Sequence, residues 1–501
     1  MALLEQLAQS LPGAEALGYL EKWQQLAPFD RRVHEMLLTT LARSGRIREG
    51  EEHLSATIAM FEAEGLDSSS IREAWRRDRV GESRVLPHVV TDAASAESVV
   101  EATTAAPRRA SIAVMPFLES SAEPQARGGI ADALAYDVTT RLAKLRSMFV
   151  IAQGSTFALH ERRVGPEEAG RMLNVDYVLS GTARLQGARL TITVELIETR
   201  TARIVWSEIL NRKIDDAFLV LEEIGNKIVA SIAAEIETLE RNRAILRPPS
   251  SLDAWEAHHR GLWHMYRFTK SDNEQARHFF ETAVRLDPTF ARAYAGLSFT
   301  HFQNAFQGWA RRSTEVDRAY EAAGQSLMVD ERDPAAHWAM GRALWLRGSA
   351  DQAVLELENA IDLSPNFAQA HYMLAFVQSQ IGDAGAAISS SDCSRSLSPF
   401  DPLLFAMLGA RAMALARLGR YDEAAAWSVK AASRPNAHVH IFAIAAYCCA
   451  LAGSLDQARG YAAAVRKSVP HYGVTDFLSA FRFDADGEVL FRKGARCVGM
   501  Q

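Results

Sequence analysis

Two hydrophobic periodicities divide the chain. Between Arg109 and Glu237 the apolar residues come in short runs and alternate. SIAVMPF (Ser111–Phe117) is a compact apolar run ending at Pro116 and predicts a buried strand. Ile130 to Leu145 carries apolar residues at helical spacing, and FVIAQ (Phe149–Gln153) predicts a second strand. PEEAGRMLN (Pro166–Asn174) opens on proline with two carboxylates in its first turn, which suits a helix N-terminus. YVLSGTARLQ, ARLTITVELIET and ARIVWSEILNR alternate as three strands, joined at Gly187 and at Thr199-Arg200-Thr201. Phe218 to Ile236 closes the region as an amphipathic helix. The predicted order is βαβαβββα, an α/β domain with a mixed sheet.

From about residue 247 onward the pattern is helical and it repeats. Gly348 and Gly382 are 34 residues apart, as are Ala353 and Ala387, and Pro365 and Pro399. Gly419 and Gly453 are again 34 apart, as are Ala424 and Ala458, while Pro435 and Pro470 are 35 apart. Ala276, Phe280, Ala283 and Pro288 form an upstream copy. Thirty-four residues is the tetratricopeptide period, and the small, apolar and proline positions resemble that motif. Each unit would be a helical hairpin that cannot cover its own apolar face, so neighbours must stack. Gly341, Ala353 and Ala360 would be small where helices cross. Ala305 to Val316 reads as an expanded inter-helix region in the second unit.

The N-terminal region reads as three helices, Leu17–Leu26, Val33–Ser44 and Glu49–Glu64, with turns at Pro28-Phe29-Asp30, Gly45 and Gly65. Val85 to Pro107 holds three acids, no Lys or Arg and no aromatic residue, and reads as a linker. Limited proteolysis is expected to cut there first. The expected division is a helical module over 1–80, a linker over 81–108, an α/β domain over 109–246, a repeat array over 247–480 and a tail over 481–501. The fold class is multidomain α and α/β, ending in an α-solenoid.

Two further segments resemble known families. Tyr19–Trp75, with its LAPFDRRVHEMLL core, LARSGR and closing EGLD, looks like the bacterial transcriptional activator domain. That module normally follows a winged-helix DNA-binding domain, for which no room is expected before Leu17. Ser111–Phe157 and Leu173–Glu208 resemble the TolB-like N-terminal domain, found in bacterial regulators and beside class III adenylate cyclase domains. Tetratricopeptide repeats usually follow it, and a catalytic cyclase domain is absent here. These resemblances imply a regulatory protein without its usual output head.

The net charge of −6 argues against a chain that coats nucleic acid, and no specific DNA binding is expected of it alone. Arg72, Arg76, Arg77 and Arg79, and Arg241, Arg243 and Arg247, form basic clusters that read as solvated helix faces. Cys393, Cys448, Cys449 and Cys497 show no metal-ligand spacing, and the adjacent pair reads as buried apolar thiols of a reducing compartment. The N-terminus lacks the pattern of a signal peptide. The most apolar stretch, Ile441 to Ala452, falls short of the roughly 20 residues of a membrane span. A cytoplasmic location follows as an expectation.

No phosphate-binding loop or nucleophile elbow occurs. His258, His259 and His264 cluster with Trp255, Trp263 and Tyr266, which suits aromatic packing better than a metal site. No catalytic residue, metal or cofactor is therefore expected, and the chain reads as a non-enzyme. With Gly341 as position eight of its unit, concave-face positions fall on Ala335, Trp338, Arg342, Trp345 and Leu346, and in the next unit on Gln369, Tyr372, Phe376, Ser379 and Gln380. Trp338, Arg342, Trp345, Tyr372 and Phe376 are hot-spot residue types and are expected to form one groove patch for a protein or peptide partner. Replacing Arg342 and Trp345 by alanine is expected to weaken capture and leave melting nearly intact. Regulatory adaptor is the leading function, with an assembly scaffold for an enzyme complex such as one with a cyclase, or an unrecognised hydrolase or nucleotide-binding enzyme, as alternatives.

Overall fold

The computed structural model describes residues 30–43, 47–63, 109–119, 129–213 and 217–501, and a few positions between 20 and 75. The expected linker over 81–108 lies outside the described residues, as does much of the N-terminal module. Two compact units emerge, one of residues 1–108 and 240–257, the other of 109–239 and 258–501.

In the first unit, α1 (Arg31–Arg43) and α2 (Ile47–Ala63) form a hairpin. Leu38, Met60, Phe61, Ile71 and Trp75 make one apolar cluster, and Leu20, Trp23, Val33, Leu37 and Leu41 a second. Between the helices His34 stacks on His53, with Nδ1 of the first 3.1 Å from Nε2 of the second.

In the second unit β1 (Ser111–Val114), β2 (Leu118–Glu119), β3 (Phe149–Val150), β4 (Tyr177–Gln186), β5 (Arg189–Glu198) and β6 (Arg203–Lys213) form a mixed sheet. Strand β1 pairs in parallel with β3 and β4, and β2 with β4, while β4, β5 and β6 run antiparallel. Gly187, at φ 58°, makes the β4–β5 turn in the left-handed region that a Cβ disfavours. Helices α3 (Ile130–Leu145), α4 (Gln153–Glu161), α5 (Pro166–Leu173) and α6 (Ala217–Leu246) complete the α/β part. Leu159 of α4 and Ala169 of α5 pack with Ala113, Met115 and Val178. Ile112 and Val114 alternate to the other face of β1. Helix α4 and strand β2 were not expected. Both are short, and α4 buries only Thr156 and Leu159, so its sequence shows little helical period.

The array begins with α7 (Ala254–Met265) and α8 (Lys270–Leu286). Five hairpins follow: α9 (Ala291–Phe306) with α10 (Arg312–Val329), α11 (Pro334–Arg347) with α12 (Ala350–Leu363), and α13 (Ala368–Gln378) with α14 (Ala384–Leu397). The last two are α15 (Leu404–Arg417) with α16 (Tyr421–Ala432), and α17 (Val439–Leu451) with α18 (Leu455–Ser468). First helices α9, α11, α13, α15 and α17 lie side by side. Gly348, Gly382, Gly419 and Gly453 all have positive φ at the turn inside a hairpin, which explains why a glycine recurs once per unit. A Cβ on Gly341 would stand 2.7 Å from Leu357, so that glycine sets the closeness of α11 and α12.

Two expectations are corrected. Ala305 and Phe306 still belong to α9 and Arg312 opens α10, so the turn of the second unit is short and its extra residues lengthen the helices. The stretch over 481–501 is no tail. After α19 (Val474–Ala480), it forms α20 (Ala485–Cys497), which packs on α17 and fully buries Phe491.

The α/β part and the array share one compact unit, held by specific contacts. Arg146, at the end of α3, pairs with Asp330 at 2.6 Å. Arg292 of α9 bonds the carbonyl of Leu145 and pairs with Asp333 at 2.9 Å. From α6, Asn226 accepts from Asn366 at 2.9 Å, and Ala230 packs with Ala368 and Leu397.

Candidate interaction site

Helix α11 starts sharply. Asp333 caps it by accepting from the Ala335 amide at 2.9 Å, and Pro334 occupies its first turn. That phase puts Trp338, Arg342 and Trp345 on one stripe, at spacings of four and three residues. Tyr372 and Phe376, four apart, form the matching stripe of α13. The structure brings all five together. Trp345 meets Phe376 edge-on at 4.9 Å between ring centres, and Tyr372 lies 6.3 Å from Phe376. The Arg342 guanidinium sits over Phe299 at 3.6 Å, Phe302 at 4.0 Å and Trp338 at 4.7 Å.

This patch is interior, which corrects the picture of an open groove. Trp338 and Tyr372 are 7% exposed, Phe376 6%, Arg342 3% and Trp345 0%. Two things cover it. Phe306 and His440 close over one end, with ring centres 4.9 Å apart. The segment after α19 packs beside them and extends the cover. Phe481 packs on Phe306 at 5.3 Å and on Phe376 at 5.9 Å. Arg482 donates its amide to the Gln380 side chain at 2.7 Å and a guanidinium N–H to the Leu346 carbonyl at 2.5 Å. Asp484 pairs with Arg417 at 2.6 Å. The chain's own residues therefore stand where a bound segment would stand.

Burial shapes the electrostatics. Loss of water pulls the Arg342 guanidinium down to about 9, against small opposing effects of Tyr372 and Tyr266. Burial pushes the Tyr372 phenol up to about 12, with Arg342 acting in the other direction. Nε and Nη1 of Arg342 and the indole N–H groups of Trp338 and Trp345 have no hydrogen-bond partner among the described residues. Phe299, Phe302 and Phe306 of α9 complete the site and escaped the sequence reading. Their spacing of three and four residues in SFTHFQNAF was the available signal.

The other candidates resolve into packing. His258 lies among Phe280 and Phe290, and burial holds it well below the usual histidine range. His264 stacks on Phe279 and bonds Asp272 at 2.9 Å. Cys448 and Cys449 are fully buried. Arg243 pairs with Glu240, and Arg247 with Glu256 at 3.3 Å. Arg76, Arg77 and Arg79 lie outside the described residues. Among the described residues no helix is long and apolar enough to cross a membrane.

Comparison with known proteins adds two matches in sequence. Residues 108–226 match the second domain of the HilA/YgeH-like transcriptional regulators. A protein of Rhizobium meliloti (strain 1021) that bears the name of an adenylate cyclase is 29% identical over 243 residues, 48% of this chain. The chain spans 41% of the length of that curated relative. Among solved structures, Pseudomonas aeruginosa pilF is 18% identical with a TM-score of 0.32, covering 47% of this chain and 96% of its own. A tetratricopeptide repeat protein from Parabacteroides merdae is 13% identical with a TM-score of 0.28, covering 48% and 99%. The side-by-side stacking of α9, α11, α13, α15 and α17 is what defines the array as a helical repeat.

Proposed function

We propose that the chain is a non-enzymatic regulatory adaptor of transcription or signalling, which engages partner proteins through its repeat array. The observation that carries this reading is the match of residues 108–226 to a regulator domain that is clamped onto the array by Arg146–Asp330, Arg292 on the Leu145 carbonyl and Asn226–Asn366. Such a clamp lets an event in one part bias the other, provided the two have a shared alternative arrangement. Trp338, Arg342, Trp345, Tyr372 and Phe376 form the proposed partner or effector region, reached when the 481–484 segment gives way. The α/β part acts as a coupling module of the TolB-like kind, and the protein works in the cytoplasm.

The second reading is an assembly scaffold for a cyclase system, favoured by the Rhizobium relative. Deleting the coding sequence separates the two. The adaptor reading expects a defined set of transcripts to change while the cyclic AMP level stays level. An altered cyclic AMP level with unchanged adenylate cyclase abundance selects the scaffold. No change in either sinks both.

A further inference from the structure

A charge taken from water into a protein interior is costly, and buried arginines are kept where a carboxylate or carbonyl meets them. Arg292 has Asp333 and the Leu145 carbonyl, and Arg411 has Asp392. Arg342 stands apart. It is 3% exposed, no carboxylate among the described residues pairs with it, and its Nε and Nη1 reach no acceptor. Three aromatic rings approach its guanidinium to within 5 Å. Cation–π attraction offsets part of the desolvation but does not satisfy N–H groups.

Further buried polar groups lie unpaired on these helices, the acceptor Gln303 Oε1 of α9 among them. Trp338 Nε1 and Trp345 Nε1, from the same stripe of α11, are also buried donors without acceptors. A guanidinium carries donors only, and a carboxylate is the partner that takes two of its N–H groups at once. The surrounding walls are the rings of Phe299, Phe302, Tyr372 and Phe376, which suit an apolar body rather than a hydrated inorganic ion.

We propose that Arg342 is the anchor of a buried effector site, which takes a small organic carboxylate with an apolar or aromatic tail. The carboxylate receives the guanidinium N–H edge, and the tail packs among the rings. A small molecule fits this position better than a peptide, because every one of the five patch residues is at most 7% exposed and Phe481 closes the way in. Release and return of the Phe481–Asp484 segment, held through Gln380, Leu346 and Arg417, is the motion that admits it. This deepens the adaptor reading by giving its groove a ligand class, but its test needs no partner.

The test uses the purified full chain, with phenylacetate as probe and phenethylamine as a cation of similar shape, at matched chloride concentration. Phenylacetate should quench tryptophan fluorescence saturably and raise Tm, and phenethylamine should do neither. Arg342→Met should weaken phenylacetate at least tenfold, roughly what loss of one charge-assisted hydrogen bond produces. Without ligand the same variant should melt at or above the wild type, since an apolar chain of similar length replaces an unpaired buried charge. A wild type blind to phenylacetate and to hexanoate, or equal responses to phenylacetate and phenethylamine, overturns the site. So does an unliganded Arg342→Met variant that melts well below the wild type, which makes the arginine a clasp for its rings. Any of these results leaves the deletion experiment above to judge the adaptor role.

Discussion

His440 Nε2 lies 3.1 Å from the carbonyl oxygen of Phe306, joining the start of α17 to the end of α9 across 134 residues of sequence. Its other nitrogen lies 2.6 Å from the Tyr472 hydroxyl. Nε2–H donating to the carbonyl leaves Nδ1 to accept from the phenol, so this ring is neutral. The contact ties the first of the stacked first helices to the last, beside the aromatic patch.

That geometry predicts acid sensitivity. Burial lowers His440 to about 4, while the Phe306 carbonyl and Asp476 raise it and Arg312 lowers it further. The neighbouring His438 is also held low by burial. Below pH 6.5 the unfolded chain takes up a proton that folded His440 refuses until about pH 4. Stability is therefore complete above pH 6.5 and falls as pH drops toward 4, by roughly 3 kcal/mol for this group. Urea melts between pH 7.5 and 4.5 should show the slope, and His440→Gln should make it shallower by its own share, the slope of the other buried histidines remaining. An unchanged slope in that variant assigns the acid sensitivity elsewhere.

Two glycines should respond in opposite directions to alanine. At Gly341 a Cβ meets Leu357 at 2.7 Å and the Ala353 carbonyl at 3.1 Å, so Gly341→Ala should cost about 1–3 kcal/mol despite better helix propensity. At Gly460 nothing lies within 4 Å, so Gly460→Ala should stabilise by up to about 1 kcal/mol. Thermal melts of both variants decide it. Equal effects would mean that the α11–α12 crossing is looser than described.

Of the two arginines where the α/β part meets the array, Arg292 should matter more to stability than Arg146. Its carboxylate partner, Asp333, also caps α11 and is buried, so Arg292→Ala leaves a buried charge and should cost about 3 kcal/mol. Arg146 is exposed enough that Arg146→Ala should cost less than about 1 kcal/mol. Chemical denaturation followed by far-ultraviolet dichroism gives both numbers, and a larger loss at Arg146 would reverse the assignment.

Trp345 is fully buried, so Trp345→Ala should destabilise the array by about 3–5 kcal/mol instead of merely disarming a surface. The expectation that Arg342 and Trp345 can be removed together at little cost in melting fails on this point. A Trp345→Ala protein that melts within a degree or two of wild type would restore an open groove.

The repeat itself was legible in the amino-acid order, because its cause is local. A left-handed turn favours glycine, a helix crossing favours a small residue, and a helix end tolerates proline, so Gly348, Gly382, Gly419 and Gly453 recur with the hairpin. The alternation of β4, β5 and β6 was legible for the same reason, since a strand's faces are set residue by residue. Even the company of Trp338, Arg342, Trp345, Tyr372 and Phe376 followed from helical phase and the side-by-side stacking of first helices. Whether that company faces a partner or the interior did not follow. A 34-residue period states that hairpins stack, not how tightly the stack curves. The cover over the patch comes from His440 reaching Phe306 and from Phe481, Arg482 and Asp484 returning over α11, α13 and α15. Those contacts link residues more than 60 positions apart, and no local pattern encodes them. Tertiary structure alone therefore determined that Arg342 is a buried cation without a carboxylate.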